Sequence, residues 1–247
     1  MSVITVFKFE NLDEPFKIAK SLNGQKSNDS WLTAFVSKYN RNEIVVNYWF
    51  YEDLENNVKK VLDENESMEV ISYLKQNGKT RVLKRIFSFV NILTKTLEIY
   101  TGSESKLDEI VEILEHVLST KFTRVVLSSQ NLQTIYSEHS TELKQVMFKN
   151  VEGLFYEILR GGNLQMNGKF QNCMEKFPEN LRVISFRPKI KFFNGHNRYQ
   201  VTLNGDKGTL RFSSVNEKFS WRPRVEIRQL TFLIAATLGI FSGSTQN

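Results

Sequence analysis

The tail of the chain alternates. In Leu181 to Phe193, Ile184, Phe186, Ile190 and Phe192 share one strand phase, and Ser185, Arg187, Lys189 and Lys191 share the other. In Arg198 to Leu203, Tyr199, Val201 and Leu203 alternate with Arg198, Gln200 and Thr202. In Gly208 to Ser214, Leu210 and Phe212 alternate with Thr209, Arg211 and Ser213. Asn194-Gly195-His196-Asn197 and Asn204-Gly205-Asp206-Lys207 separate the three runs, and asparagine-glycine pairs tolerate the positive φ of hairpin turns. A period of two repeated across short turns predicts an antiparallel meander, because successive side chains of a strand point to opposite faces. Pairing across the second turn is expected to set Val201 opposite Leu210 and Gln200 opposite Arg211, keeping the apolar set together.

The polar phase of this meander is basic. Residues 182–247 hold 11 basic and 3 acidic residues, a balance of +8, whereas residues 1–181 hold 22 basic and 24 acidic. Arg187, Lys189, Lys191, Arg198 and Arg211 fall on one predicted face, with Lys207 at a turn tip and Trp221, Arg222, Arg224 and Arg228 following. Phosphates need Lys and Arg spread along a surface, with Gln, Ser and Thr adding hydrogen bonds and aromatics stacking on bases. This set is therefore the candidate nucleic-acid-binding surface, for DNA or RNA. Two other readings use the same residues. A solvated basic face keeps a sheet edge from aggregating, and a basic patch docks on an acidic protein surface. The last reading makes the chain an adaptor or assembly subunit, and its acidic front and basic tail also permit head-to-tail self-association. The Trp221 to Arg224 stretch (WRPR) reads first as a tryptophan plugging a core at a helix entry, and second as a stacking site.

The rest of the chain mixes helices and strands. Strands are expected at Val3 to Phe9, Trp31 to Tyr39, Glu43 to Tyr51, Arg81 to Val90, Lys95 to Tyr100 and Phe122 to Leu127. Helices are expected at Asp13 to Leu22, in two pieces over Leu54 to Leu74, between Gly102 and Thr120, at Asn131 to Ser137 and at Thr141 to Leu159. The clearest helix puts Leu107, Ile110, Val111, Leu114, Val117 and Leu118 on one stripe, with Ser103 or Ser105 at its start. A final helix is expected from about Arg224 to Leu238, ending at Gly239. The order predicts an α+β fold with mainly antiparallel sheets and packed helices, closing on the three-stranded meander and a buried helix. Residues 1–160 read as an N-terminal α+β region, 161–180 as an irregular linker and 181–247 as the basic meander plus helix, which can pack as one domain with the first.

Catalytic patterns are few. His116, His139 and His196 are far apart and have no metal-ligand spacing. Cys173 is the single cysteine, so an internal disulfide is impossible, and no neighbour in sequence is suited to activate it. Gly162 to Lys169 (GNLQMNGK) has one residue too many for a phosphate loop and Phe170 where magnesium needs a hydroxyl. A metal-dependent nuclease is the one enzyme reading, resting on Asp63, Glu64, Glu66 and Glu69. No catalytic residue, metal site or cofactor is expected. The longest apolar run, Leu230 to Phe241, is shorter than the ~20 residues of a membrane-spanning helix, and no export signal is read at the N-terminus. A cytoplasmic, intracellular protein without a membrane partner is expected.

Overall fold

One strand carries apolar side chains on both phases, and the fold is organised about it. In β1 (Ser2–Lys8), Ile4 and Val6 point to one face of the sheet and Phe7 to the other, and all are buried. The fold is seen in a computed structural model that describes residues 2–27, 29–59, 62–189, 199–214, 223–237 and 239.

The N-terminal half continues with α1 (Pro15–Leu22), β2 (Lys26–Ser27), β3 (Ser30–Val36), β4 (Glu43–Asp53), α2 (Leu54–Val58), α3 (Glu64–Gln76), β5 (Arg81–Asn91), β6 (Thr96–Ile99) and α4 (Glu104–Leu118). The C-terminal half holds β7 (Thr123–Arg124), α5 (Ser129–His139), β8 (Ser140–Val151), β9 (Leu154–Arg160), α6 (Gly168–Lys176), β10 (Leu181–Pro188), β11 (Tyr199–Asn204), β12 (Thr209–Ser214) and α7 (Pro223–Thr237). Among the described residues the strands form one antiparallel sheet of twelve, in the order β2-β3-β4-β5-β6-β1-β12-β11-β10-β8-β9, with β7 also on β1. Each half thus runs from an outer strand inward to β1. The fold is α+β, and its C-terminal strands are followed by a helix.

The helices of the two halves lie on opposite faces. Directly paired residues point to one side, so the registers carry a face from strand to strand. Ile44, Val46 and Tyr48 share a face with Ile86, Val90, Leu97 and Phe7. They form a core with Ile18 and Leu22 of α1 and Leu107, Ile110 and Leu114 of α4. Val146, Ile184, Phe186, Val201, Leu203, Leu210 and Ile4 share the other face. Their core takes Leu132 and Ile135 of α5, Phe170 and Cys173 of α6, and Leu230 and Ile234 of α7. In each half the strand phase turned away from its helices is the open one.

Local signals explain most elements. Ser103 accepts the Lys106 amide at the start of α4, Asp63 accepts the Glu66 amide at the start of α3, and Ser128 and Asn131 form a reciprocal capping box on α5. Three expectations are corrected. Thr141 to Leu159 is the β8–β9 hairpin, not a helix. The buried positions Leu143, Val146, Phe148 and Val151 are three or two apart, and a register shift against β10 accompanies the step from Leu143 to Val146. An extra residue in a bulged strand restores the same face after three positions, which imitates helical spacing. Phe122 to Leu127 is a strand only at Thr123–Arg124, and beyond it the Val125 and Leu127 amides donate singly to the Val6 and Gly205 carbonyls. Residues 161–180, expected as irregular, contain α6 between two 3-10 turns, and β10 after them pairs with β8 of the hairpin before them.

The meander keeps its expected phase but not its register. Val201 faces Phe212 and Leu203 faces Leu210, a shift of two residues that leaves every side chain on its expected face. The turn is a four-residue loop, 205–208, rather than a two-residue one. Gly205 is not in the left-handed region. It is required because a Cβ there would come 2.5 Å from the Leu127 carbonyl oxygen, whereas Gly208 carries the positive φ of 56°. The turn between β10 and β11 lies outside the described residues.

Candidate nucleic-acid interface

The described members of the expected basic set have different surroundings. Arg211 is exposed on the open face of β12, paired across to Thr202 and Val3, and meets no carboxylate among the described residues. Lys207 is exposed at the loop tip, its amide donating to Asn204 Oδ1 at 3.0 Å. Its charge helps the Arg124 guanidinium, the main cause, hold the Glu104 carboxyl below the usual range. Arg187 lies 3.3 Å from Glu142, which also takes Lys144. Lys144, and to a lesser degree Arg187, hold the Glu142 carboxyl low. Lys189 donates its amide to the His139 carbonyl and its Nζ to the Ser137 carbonyl, 2.9 Å away. Lys191, Arg198, Trp221 and Arg222 lie outside the described residues, and Arg224 is described only as part of the first turn of α7.

Arg228 is a correction to the expected set. It turns inward over the Phe89 ring at 4.0 Å, pairs with Glu43 through two hydrogen bonds and places Nε 3.6 Å from Glu98. The Glu43 and Glu98 side chains are only 5% and 11% exposed. Two carboxylates therefore occupy this guanidinium, which burial otherwise disfavours and whose pKa they push up. Its role is to hold α7 against the N-terminal strands, which sequence spacing could not show because the partners are 185 residues away.

The open face of the C-terminal half is wider than the meander. Registers add Gln145, Met147 and Lys149 of β8 and Tyr156, Ile158 and Arg160 of β9 to Ser185, Gln200, Thr202 and Arg211. Arg160 donates to Gln145 at 3.1 Å and meets no carboxylate among the described residues. Lys149 and Arg182 both pair with Asp206. Arg160 and Lys149 escape a sequence reading once β8 and β9 are taken as a helix. The alternation of Tyr156, Ile158 and Arg160 against Glu157 and Leu159 is the signal that could have found them.

A second open face belongs to the N-terminal half: Trp31, Thr33 and Phe35 of β3, Val45, Asn47, Trp49 and Tyr51 of β4, and Leu83, Arg85 and Phe87 of β5. Both phases of β3 and β4 are apolar, which the aromatic runs in the sequence already display.

The expected acidic cluster has other work: Asp63 caps α3, and Glu64, Glu66 and Glu69 are exposed on it. Among the described residues no three His, Cys, Asp or Glu side chains converge as a metal site. Burial, with Glu157 nearby, pushes the Cys173 thiol up and away from the reactive thiolate. Among the described residues no helix is long and apolar enough to cross a membrane. No family model matches this chain, and neither does any curated protein sequence.

Proposed function

We propose that the protein binds nucleic acid without catalysing a reaction on it, using the open face of β9, β8, β10, β11 and β12 for phosphate contacts. The observation that carries this reading is the pair of cations on that face, Arg160 and Arg211, that meet no carboxylate among the described residues. Between them lie Gln145, Gln200 and Thr202, side chains able to hydrogen-bond phosphate and sugar. Lys207 extends the positive edge at the loop tip.

The test is salt dependence. Replacing Arg160, Lys207 and Arg211 together by Ala is expected to flatten the slope of log K against log salt by up to about 2.7 on duplex DNA, at ~0.9 per phosphate contact, and by up to about 2 on a single strand, at ~0.7. An unchanged slope removes this face from the binding site, and no binding to either form at low salt overturns the function.

One observation favours a second reading, an assembly subunit. The edge strand β9 exposes Leu154, Phe155 and Tyr156, with Phe155 87% exposed. A bare apolar edge is a template for pairing with another chain. Light scattering with and without nucleic acid separates the two: a stable oligomer indifferent to nucleic acid favours assembly.

A further inference from the structure

The aromatic face of the N-terminal half contains a row of directly paired residues running across four strands. Lys26 of β2 faces Trp31 of β3, Trp31 faces Trp49 of β4, and Trp49 faces Arg85 of β5. The two indoles lie 6.2 Å apart with planes 11° from parallel, and Tyr51 sits 5.9 Å from Trp31. The Arg85 guanidinium lies over Trp49 at 5.0 Å and over Phe87 at 4.1 Å. Phe35, Tyr51 and Leu83 beside the row are about half exposed.

The charges on this face are sorted by sign. Of its carboxylates, Glu43 and Glu98 are taken up by Arg228, Asp29 near its edge is bound by Arg81 at 2.8 Å, and the Asp53 side chain caps α2. Trp49 Nε1 and Asn47 Nδ2 are satisfied within the face, both donating to Thr33 Oγ1. Exposed Lys26 and Arg85 remain as cations flanking an aromatic surface. A complementary occupant presents flat π-systems and a repeating negative charge. A second copy of the same face carries the same cations and offers them no anion.

We infer that this face binds unpaired bases of single-stranded nucleic acid, with the Trp31–Trp49–Tyr51 cluster as the stacking platform and Arg85 and Lys26 facing the phosphates. Stacking requires bases free of a duplex, so the site selects single strands with little sequence preference. The inference takes the class of partner from the nucleic-acid reading above and adds a site on the opposite face of the sheet.

The experiment uses the full chain and a fluorescent oligothymidylate, with a duplex of matched length as control. Trp31→Leu, Tyr51→Ala and Arg85→Ala are each expected to weaken single-strand binding about five-fold or more, the loss of one stacked base or its cation, and to leave duplex binding unchanged. A 5-bromouracil version of the strand is expected to crosslink to Trp31, Trp49 or Tyr51, a readout on the unaltered protein that stands even if Trp31→Leu fails to fold. Unchanged single-strand affinity in Tyr51→Ala and Arg85→Ala, or crosslinks confined to the opposite face at residues 145–160 and 183–211, overturns this site and leaves the proposed function standing. Absence of any oligonucleotide binding by the unaltered protein overturns both.

Discussion

The N-terminal half leaves bare the face of β3, β4 and β5, and the C-terminal half leaves bare the opposite face, from β9 to β12. The two surfaces are built on the same antiparallel scheme and differ in chemistry. On the first, indoles stack on one another and a guanidinium covers a ring, so the side chains shield each other and contribute to stability while half exposed. On the second, small hydroxyls and amides hydrogen-bond across strands, as Gln200 does to Ser185 and Ser185 to Thr202. Its cations stand apart or meet carboxylates at the rim. The contrast teaches that a strand phase released from core packing can take either aromatic or polar residues without altering the sheet. Its composition therefore reports on what it contacts more than on how the chain folds.

The largest expected effect breaks the link between the two regions. Arg228→Ala leaves Glu43 and Glu98 buried without a countercharge and is expected to cost about 3–5 kcal/mol in a urea unfolding experiment. A loss below about 1 kcal/mol would mean that α7 is not held by this network. The next prediction separates the faces directly. Trp49→Ala removes a half-buried ring packed against Trp31 and Arg85 and is expected to cost about 2 kcal/mol. Equal costs for Trp49→Ala and Arg211→Ala would erase the distinction between a shielded face and a solvated one.

A smaller effect depends on pH. Burial chiefly, together with Glu43, raises the Glu98 carboxyl above its usual range against the opposing pull of Arg228 and the Tyr100 hydroxyl. The folded protein takes up this proton at a higher pH than the unfolded chain does. The associated stability is therefore present below the unfolded value of about 4.3 and is lost as pH rises through the folded one. Glu98→Gln is expected to be more stable than the parent at pH 7, with the gap closing on acidification, as unfolding midpoints across a pH series would record. The smallest effect is Arg211→Ala, expected to change stability by no more than about 0.5 kcal/mol while it weakens binding to both strand forms. A marked loss of stability there would show that the residue serves the fold.

Much of the fold was legible because local signals were strong. The alternation of Tyr199, Val201 and Leu203 against Gln200 and Thr202 placed β11 on the correct phase. Three apolar positions of α4, Leu107, Ile110 and Leu114, reach the core as their spacing predicts. The β8–β9 hairpin was not legible, since a bulge put Leu143 and Val146 on one face three residues apart. The register of β11 on β12 also escaped, because a shift of two residues leaves the alternation of side chains unchanged. On the candidate surface, strand phase put Arg187 and Arg211 on one expected face and the turn put Lys207 at its tip. Arg228 could not be removed from the set without knowing that Glu43 lies beside it.

What the sequence determined by itself is periodicity: which stretches alternate, which form a helical stripe, and where the positive charge accumulates. Each of these depends on residues a few positions apart. Only the tertiary structure decided that β1 lies between the halves, that their helices cover opposite faces, and which arginine stands free on a surface and which pairs with buried carboxylates. Those outcomes come from contacts between segments far apart in the chain, such as Ser2 with Phe212 and Glu43 with Arg228, where a buried carboxylate can capture a guanidinium that its own neighbours in sequence would have left in water.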